Sequence, residues 1–83
     1  MNPHYSLYIL TDCPFCKRAV SLLESKKLPF VVIVMDKDPE FLEKIKKDFN
    51  HKTVPIVTES SEEGNKLIGG CDDLERHLES KNA

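Results

Sequence analysis

Four short runs of apolar and β-branched residues along the chain predict strands. The first two are "YSLYIL" (residues 5–10) and "LPFVVIVMD" (residues 28–36). The second run is continuously apolar, which is typical of a strand covered on both faces, as in a parallel sheet. "TVPIVT" (residues 53–58) predicts a third strand and "KLI" (residues 66–68) a short fourth. The polar, glycine-containing stretch "ESSEEGN" lies between these last two, which predicts a hairpin.

Three other segments place their apolar residues at helical spacing. The first covers residues 14–27 and has a proline in its first turn, where a missing N–H group costs the helix nothing. The second begins at Pro39, capped by Asp36 or Asp38, and the third covers about residues 72–80. The apolar positions predicted to face inward are Phe15, Ala19, Val20, Leu22 and Leu23 in the first segment, Phe41, Leu42, Ile45 and Phe49 in the second, and Leu74 and Leu78 in the third.

This order of elements, β-α-β-α-β-β-α, predicts an α/β fold. A βαβ unit beside a hairpin gives a four-stranded mixed sheet flanked by three helices, and the βαβ crossover should be right-handed. The chain has 83 residues, without a repeat, a low-complexity segment or a linker. We therefore expect one domain over residues 1–83.

Composition and charge exclude several classes of partner. The net charge is −2, so the general basic field that a nucleic-acid binder needs is missing. No apolar run approaches the roughly 18 residues of a membrane span, and the N-terminus lacks the pattern of a signal peptide. We therefore expect neither a nucleic-acid nor a membrane partner, and a cytoplasmic location. The odd count of three cysteines also argues against a secreted disulfide scaffold.

The stretch "TDCPFCKRA" (residues 11–19) carries the candidate chemistry, a Cys-x-x-Cys pair between a predicted strand and a predicted helix. Cys13 falls at the start of the helix, where free N–H groups and the positive end of the helix dipole favour a thiolate. Lys17 and Arg18, one turn later, add positive charge nearby. Cys16 lies one turn deeper on the same face, more shielded from solvent. The pattern therefore predicts that Cys13 is an exposed, attacking thiolate and Cys16 the resolving thiol.

Two structural interpretations of the pair are weaker. A static disulfide would close only a three-residue loop and would stabilise the fold little in a reducing compartment. Tetrahedral zinc needs four ligands, and the remaining candidates stand at no recognisable spacing, so we expect no metal. Those candidates are Cys71, His4, His51 and His77. We interpret Cys71 as a semi-buried packing residue, with a regulatory thiol as the alternative, and the three histidines as surface residues.

Three motifs together resemble those of the dithiol glutaredoxins. They are "CPFC" at the strand–helix junction, "TVP" at residues 53–55 and "GGCDDL" at residues 69–74. The resemblance covers nearly the whole chain. It implies a thioredoxin-like fold, a cis peptide bond before Pro55, and glutathione as co-substrate, with no tightly bound cofactor.

The resemblance also implies a glutathione site. The Val54 backbone would pair with the cysteinyl part of the tripeptide, and the N–H groups of Cys71 and Asp72 would meet its γ-glutamyl carboxylate. Asp72 or Asp73 would accept from its ammonium group. Lys52, or His51 in a shifted register, would supply positive charge for a carboxylate. The residues implied are Cys13 and Cys16 as catalytic, and Phe15, Lys52, Thr53, Val54, Pro55, Gly70, Cys71, Asp72 and Asp73 as glutathione-binding.

The chain departs from the family pattern at four places. Leu10 stands where many members have a basic residue, and Ile56 where a polar residue is common after the cis proline. Phe15 replaces the usual tyrosine, and the hairpin is longer. These departures concern glutathione affinity and partner choice rather than the redox chemistry.

The sequence thus predicts a monomeric, glutathione-dependent thiol–disulfide oxidoreductase. Its partners would be glutathione and proteins that carry disulfides or mixed disulfides with glutathione. One alternative is a thioredoxin-like hydrogen donor, for example to ribonucleotide reductase, recharged by a flavoprotein reductase; "GGCDDL" argues against it. Another is a non-enzymatic iron–sulfur carrier that uses Cys13 from two chains, and Pro14 argues against that.

Overall fold

The computed structural model describes residues 3–81 of the chain and contains the predicted sequence of strands and helices. The order β-α-β-α-β-β-α is confirmed. The elements are β1 (His4–Ile9), α1 (Pro14–Ser25), β2 (Phe30–Val34), α2 (Pro39–Asp48), β3 (Ile56–Ser61), β4 (Gly64–Gly69) and α3 (Cys71–Lys81).

The four strands form one mixed sheet, as predicted, and their order in it is β2-β1-β3-β4. β1 runs parallel to β2 and antiparallel to β3, and β3 pairs antiparallel with β4. β1 therefore lies inside the sheet, and its residues Tyr5 and Leu7 are fully buried. This central position brings the end of β1, and the cysteine pair that follows it, beside the start of β3.

The prediction that β2 is covered on both faces is wrong. β2 is an edge strand, and Val31 and Val34 keep 58% and 52% of their surface exposed. The continuous run of β-branched residues here reflects the preference of these side chains for extended backbone rather than burial on two sides.

The predicted turn between the last two strands is also too long. β3 continues to Ser61 and β4 starts at Gly64, so only Glu62 and Glu63 join them. Gly64 adopts a φ of 111°, which favours glycine. The polar residues of this stretch therefore extend the hairpin as paired strands, because backbone pairing does not require apolar side chains.

Two apolar clusters hold the helices against the sheet. One joins β1 and β3 to α1 and α3 and includes Ala19, Leu23, Leu74 and Leu78. The other contains Met35, Leu42, Ile45 and Ile56. The first cluster therefore fixes α1 and α3 relative to the sheet, and the second fixes α2.

Two of the side chains predicted to face inward do not. Phe15 is 57% exposed and Phe41 is 43% exposed. Helical spacing alone placed both on the inner stripe, but each lies in the first turn of its helix, before the helix crosses the core. Within residues 3–81, no helix is long and apolar enough to cross a membrane.

Candidate active site

Cys13 is the N-cap residue of α1, so the predicted helix start is confirmed. Its backbone is extended (φ −127°, ψ 107°), and Pro14 occupies the first helical position. The Cys16 N–H group donates to Cys13 Sγ over 3.2 Å. A sulfur that accepts from a free N–H group at the positive end of a helix is stabilised when it carries negative charge. The local structure thus favours a nucleophilic sulfur at Cys13.

Cys16 lies directly behind Cys13 and is fully buried. Burial, together with the hydrogen bond to Cys13, raises the pKa of Cys16 to about 12. A backbone hydrogen bond from Leu10 opposes this rise without cancelling it. All three cysteines carry free thiols. Cys16 is therefore a protonated, shielded thiol at neutral pH, which suits a resolving residue rather than an attacking one.

The exposure predicted for Cys13 is wrong, although the order of the two residues holds. Cys13 is only 9% exposed, against 0% for Cys16. The cause is the loop before β3, since the Cys13 thiol contacts the Val54 carbonyl oxygen at 3.9 Å. A substrate sulfur must therefore reach Cys13 along a restricted path beside this loop.

The Arg18 side chain is engaged by α3. Its Nη2 pairs with Glu75 Oε2 over 2.8 Å and so ties α1 to α3. Its charge also opposes the effect of burial, which raises the pKa of the Cys71 thiol. Lys17 is exposed, like Arg18. The positive charge expected at the redox pair is thus partly used to join two helices.

A cavity of about 400 Å³ lies between the loop before β3 and the start of α3. Cys13 does not line it, but Val54, which does, contacts the Cys13 thiol through its carbonyl oxygen. The peptide bond between Val54 and Pro55 is cis, as the resemblance implied. The cavity gathers segments that are far apart in the sequence. Its lining residues are Phe15, His51, Thr53, Val54, Pro55, Gly70, Cys71, Asp72 and Asp73.

Lys52 lies outside the lining of this cavity, whereas His51 lies within it. His51 Nε2 is 3.4 Å from Thr53 Oγ1, and Lys52 lines a neighbouring cavity. Of the two registers that the sequence left open for a basic residue, the structure therefore places the histidine against the cavity. His51 and Lys52 are neighbours in the chain, and sequence spacing alone does not show which of the two lines the cavity.

The first turn of α3 closes the cavity on its other side. Asp73 Oδ2 accepts from the Gly70 N–H group over 3.0 Å, and Asp73 Oδ1 pairs with Arg76 Nη2 over 2.5 Å. The hydrogen bond from Gly70 and the pairing with Arg76 hold the pKa of Asp73 below its ordinary value. The bond from Gly70 to Asp73 is one of the two hydrogen bonds of a capping box, the one in which the N3 side chain accepts from the N–H group of the N-cap residue. Gly70 has no side chain with which to bond the N–H groups of Cys71 and Asp72, so these groups remain available to an anion.

The two glycines before α3 differ in what they allow. Gly69 has a φ of 123°, and a Cβ there would overlap the Asp73 side chain. A Cβ on Gly70 would lie 3.7 Å from His51 Nε2 and 3.8 Å from the Pro55 carbonyl oxygen, inside the cavity. Gly69 is therefore required by the backbone, whereas a Cβ on Gly70 would make only ordinary van der Waals contacts but would take up space in the cavity.

Cys71 is more deeply buried than predicted, at 4% exposure, and it belongs to the apolar cluster under α1 and α3. Its packing role agrees with that position. Cys71 is also the first residue of α3 and one of the residues that line the cavity.

Two interactions near the site were not apparent from the sequence. Asp36, predicted as a possible cap of α2, instead accepts from the Thr11 N–H group over 2.9 Å and from the Thr11 hydroxyl. These bonds fasten the loop that leads to Cys13, and they hold the pKa of Asp36 below its ordinary value. Asp38 is the N-cap residue of α2, without a capping side-chain bond. The sequence does not predict the contact between Thr11 and Asp36, because the two residues are 25 positions apart and no local pattern links them.

The three histidines also differ in their environments. His4 is exposed, as predicted. His77 is not a surface residue, because its Nε2 lies 2.8 Å from Glu59 Oε2 and its side chain is only 19% exposed. His51, half-buried, lines the cavity described above.

In the comparison with protein families, the family model described as glutaredoxin matches residues 5–60. Curated relatives agree. A glutaredoxin of Pseudomonas aeruginosa is 35% identical over 72 residues, which cover 87% of this chain and 81% of the relative. Glutaredoxin 3 of Escherichia coli K12 is 35% identical over 68 residues, which cover 82% and 77%.

Solved structures with the same architecture include a buckwheat glutaredoxin–glutathione complex. It has a TM-score of 0.77 and 25% identity, over 93% of this chain and 70% of that chain. Thioredoxin F from spinach chloroplast has a TM-score of 0.64 and 16% identity, over 99% and 78%. The latter likeness concerns the fold alone and confirms the thioredoxin-like class.

Proposed function

Because the chain belongs to the glutaredoxin family, whose members are thiol–disulfide oxidoreductases, we propose that it uses glutathione as its reductant. Its substrates would be proteins that carry disulfides or mixed disulfides with glutathione. The observation that carries this proposal is the cavity beside Cys13, which combines the cis Val54–Pro55 peptide with the start of α3, where Gly70 has no side chain to bond the N–H groups of Cys71 and Asp72.

Reduction of a mixed disulfide needs only Cys13. Its thiolate attacks the glutathione sulfur, the S–S bond to the substrate protein breaks, and the substrate thiolate leaves and takes a proton. A second glutathione thiolate then attacks the glutathione sulfur bound to Cys13. Oxidised glutathione leaves, and the Cys13 thiolate is restored.

Reduction of a protein disulfide needs both cysteines. Cys13 attacks one sulfur of the substrate and forms a mixed disulfide, and the released substrate thiolate takes a proton. Cys16 then loses its proton and attacks Cys13 Sγ, which frees the substrate as a dithiol and leaves a Cys13–Cys16 disulfide. Two glutathione molecules reduce that disulfide and leave as oxidised glutathione.

The proposed binding mode assigns each end of glutathione to one wall of the cavity. The Val54 backbone would pair with the cysteinyl residue. The N–H groups of Cys71 and Asp72 would receive the γ-glutamyl carboxylate. Asp72 would accept from the ammonium group, since Asp73 is engaged by Gly70 and Arg76. The remaining proposed contacts are Phe15, Thr53, Pro55 and Gly70, with His51 preferred to Lys52 for the glycyl carboxylate.

Two parallel assays test the proposal. Disulfide reduction is measured with glutathione plus glutathione reductase, and separately with thioredoxin reductase, both with NADPH as the final reductant. We expect turnover only in the first. Turnover only in the second would overturn the proposal in favour of a thioredoxin-like hydrogen donor. Because glutathione is abundant in reducing compartments, we also expect the protein to act in the cytoplasm. We further expect it to act as a monomer.

A further inference from the structure

A second cavity of about 400 Å³ adjoins the first, and it is lined by positive charge. We call it the basic cavity. It shares His51 with the cavity beside Cys13, so the two cavities are neighbours. Its lining residues are Glu43, Lys46, Lys47, Asn50, His51 and Lys52.

The chain reversal after α2 builds this cavity. Asn50 adopts a left-handed φ of 52°, its N–H group donates to the Lys47 carbonyl oxygen over 3.2 Å, and the His51 N–H group donates to the Lys46 carbonyl oxygen over 2.9 Å. This is a Schellman motif, which fixes the path of the chain as it leaves a helix. It places Lys52 beside the lysines of the last helical turn and His51 between the two cavities. The arrangement is therefore set by backbone hydrogen bonds.

The charge of the basic cavity is opposite to that of the whole molecule. Three lysines and one glutamate give it a charge of +2, whereas the full chain carries −2. Of the three lysines of the basic cavity, Lys46 alone is paired within residues 3–81, with Glu43 Oε1 at 3.6 Å. Lys47 and Lys52 are exposed and have no carboxylate partner among residues 3–81. Lysines in the last turn of a helix often stabilise the negative end of its dipole. Lys52 lies beyond the end of α2, so this role does not account for its place in the basic cavity.

We propose that the basic cavity binds acidic side chains of protein substrates that flank the cysteine reacting with Cys13. This inference rests on the proposed function, because it concerns the part of a mixed disulfide that glutathione does not contribute. While glutathione occupies the first cavity, the substrate protein joined to it by the disulfide must lie along the edge of that cavity. Acidic residues on that segment meet unpaired lysines on the far side of His51. The surface therefore selects substrates by charge and raises their association rate.

Three glutathionylated peptides of equal length test this, with acidic, neutral or basic residues around the cysteine. The measurement is kcat/KM at low and at high ionic strength, about 20 mM and about 300 mM salt. We expect the acidic peptide to exceed the neutral one several-fold at low salt and the difference to shrink at high salt. Equal values for all three peptides at low salt would overturn the proposal while leaving glutathione-dependent activity intact. Absence of turnover with every peptide would instead overturn the proposed function.

A pair of charge-matched variants locates the effect. Lys46→Gln/Lys47→Gln removes two charges from the basic cavity, and Lys26→Gln/Lys27→Gln removes two exposed charges at the opposite end of α1. We expect the first to lower kcat/KM for the acidic peptide by roughly 3–10-fold at low salt, and the second to leave it unchanged. An equal loss on all three peptides would show that the lysines act on glutathione itself and would overturn the proposal. Thermal unfolding of both variants confirms that each is folded.

Discussion

At the scale of single residues, the two cysteines of the pair differ because of where the chain places them, although they are three positions apart. Cys13 caps a helix and accepts an N–H group, while Cys16 lies in the interior with its pKa raised to about 12. The direction of this difference could be predicted from the strand–helix junction. Its extent could not, since the burial of Cys13 by the Val54 carbonyl depends on a segment 41 residues away.

This difference predicts the order in which the thiols are alkylated. In a brief reaction with iodoacetamide at neutral pH, we expect Cys13 to be modified well before Cys16 and Cys71. Burial raises the pKa of both slower thiols, and only the thiolate reacts. Peptide mass spectrometry at several times gives the three rates. Modification of Cys16 as fast as Cys13 in the folded protein would contradict the assignment of their roles.

The two cysteines should also separate by substitution. Cys16→Ser should keep roughly half or more of the activity on small mixed disulfides with glutathione, because that reaction needs only Cys13. With a protein disulfide it should stop at a mixed disulfide, visible on a non-reducing gel. Cys13→Ser, the matched variant, should lose both reactions. Substantial turnover by Cys13→Ser would refute the mechanism.

At the scale of elements, the helix starts carry the site, and their chemistry could be predicted from short motifs. "CPFC" and "GGCDD" mark the first turns of α1 and α3, and both helices begin within a residue of the expected position. What the motifs did not show is the division of labour between Asp72 and Asp73. Asp73 reaches back to Gly70 and caps its own helix, which leaves Asp72 exposed at the cavity. Two adjacent aspartates are equivalent in a sequence and become distinct only once the helix is formed.

The cap on α3 predicts a pH dependence of stability. The pKa of Asp73 is lowered in the folded state, so its contribution is present above the pKa of the unfolded chain, about 3.9, and is lost as the pH falls through the lower folded value. Asp73→Ala should therefore lower the free energy of unfolding at neutral pH by about 0.5–1 kcal/mol, a low value for a cap because the side chain is partly exposed. The variant should also lose less stability than the wild type between neutral pH and strongly acidic pH.

Urea unfolding at neutral and at acidic pH measures both effects. Glu79→Gln is the control, since it removes a carboxylate from the same helix at an exposed position outside the first turn. A decrease for Glu79→Gln as large as that for Asp73→Ala would show that net charge, rather than the cap, is responsible.

At the scale of the whole molecule, the fold could be predicted further than the site. The order of strands and helices follows from periodicity, because each element shows its own spacing. The edge position of β2 does not follow from periodicity, since a run of β-branched residues has the same pattern in an edge strand and in a central strand. The interactions that fasten the site, Thr11 with Asp36 and Cys13 with Val54, join residues 25 and 41 positions apart. Such contacts exist only in the assembled structure.

One buried polar network joins three parts of the fold away from the redox pair. Glu59 on β3, only 4% exposed, accepts from the Tyr5 hydroxyl of β1 over 2.7 Å and lies 2.8 Å from His77 Nε2 of α3. Its other oxygen is 3.6 Å from Lys66 Nζ of β4. A buried carboxylate is tolerated only when its oxygens are hydrogen-bonded. The network therefore couples the sheet to α3, the helix that supplies one wall of the cavity.

Removing one donor from this network should weaken the fold without changing the chemistry. Tyr5→Phe keeps the buried ring but takes a hydrogen bond from a buried, charged acceptor, which should lower the free energy of unfolding by roughly 1–3 kcal/mol. Tyr8→Phe is the matched control, because Tyr8 is on the same strand, is half-buried, and makes no side-chain hydrogen bond within residues 3–81. Urea unfolding should show a clear loss for the first variant and little for the second. The glutathione-dependent rate, measured where both variants are folded, should match that of the wild type, since Tyr5 does not line the cavity beside Cys13. Equal losses of stability would show that the hydroxyl of Tyr5 contributes nothing beyond the packing of its ring.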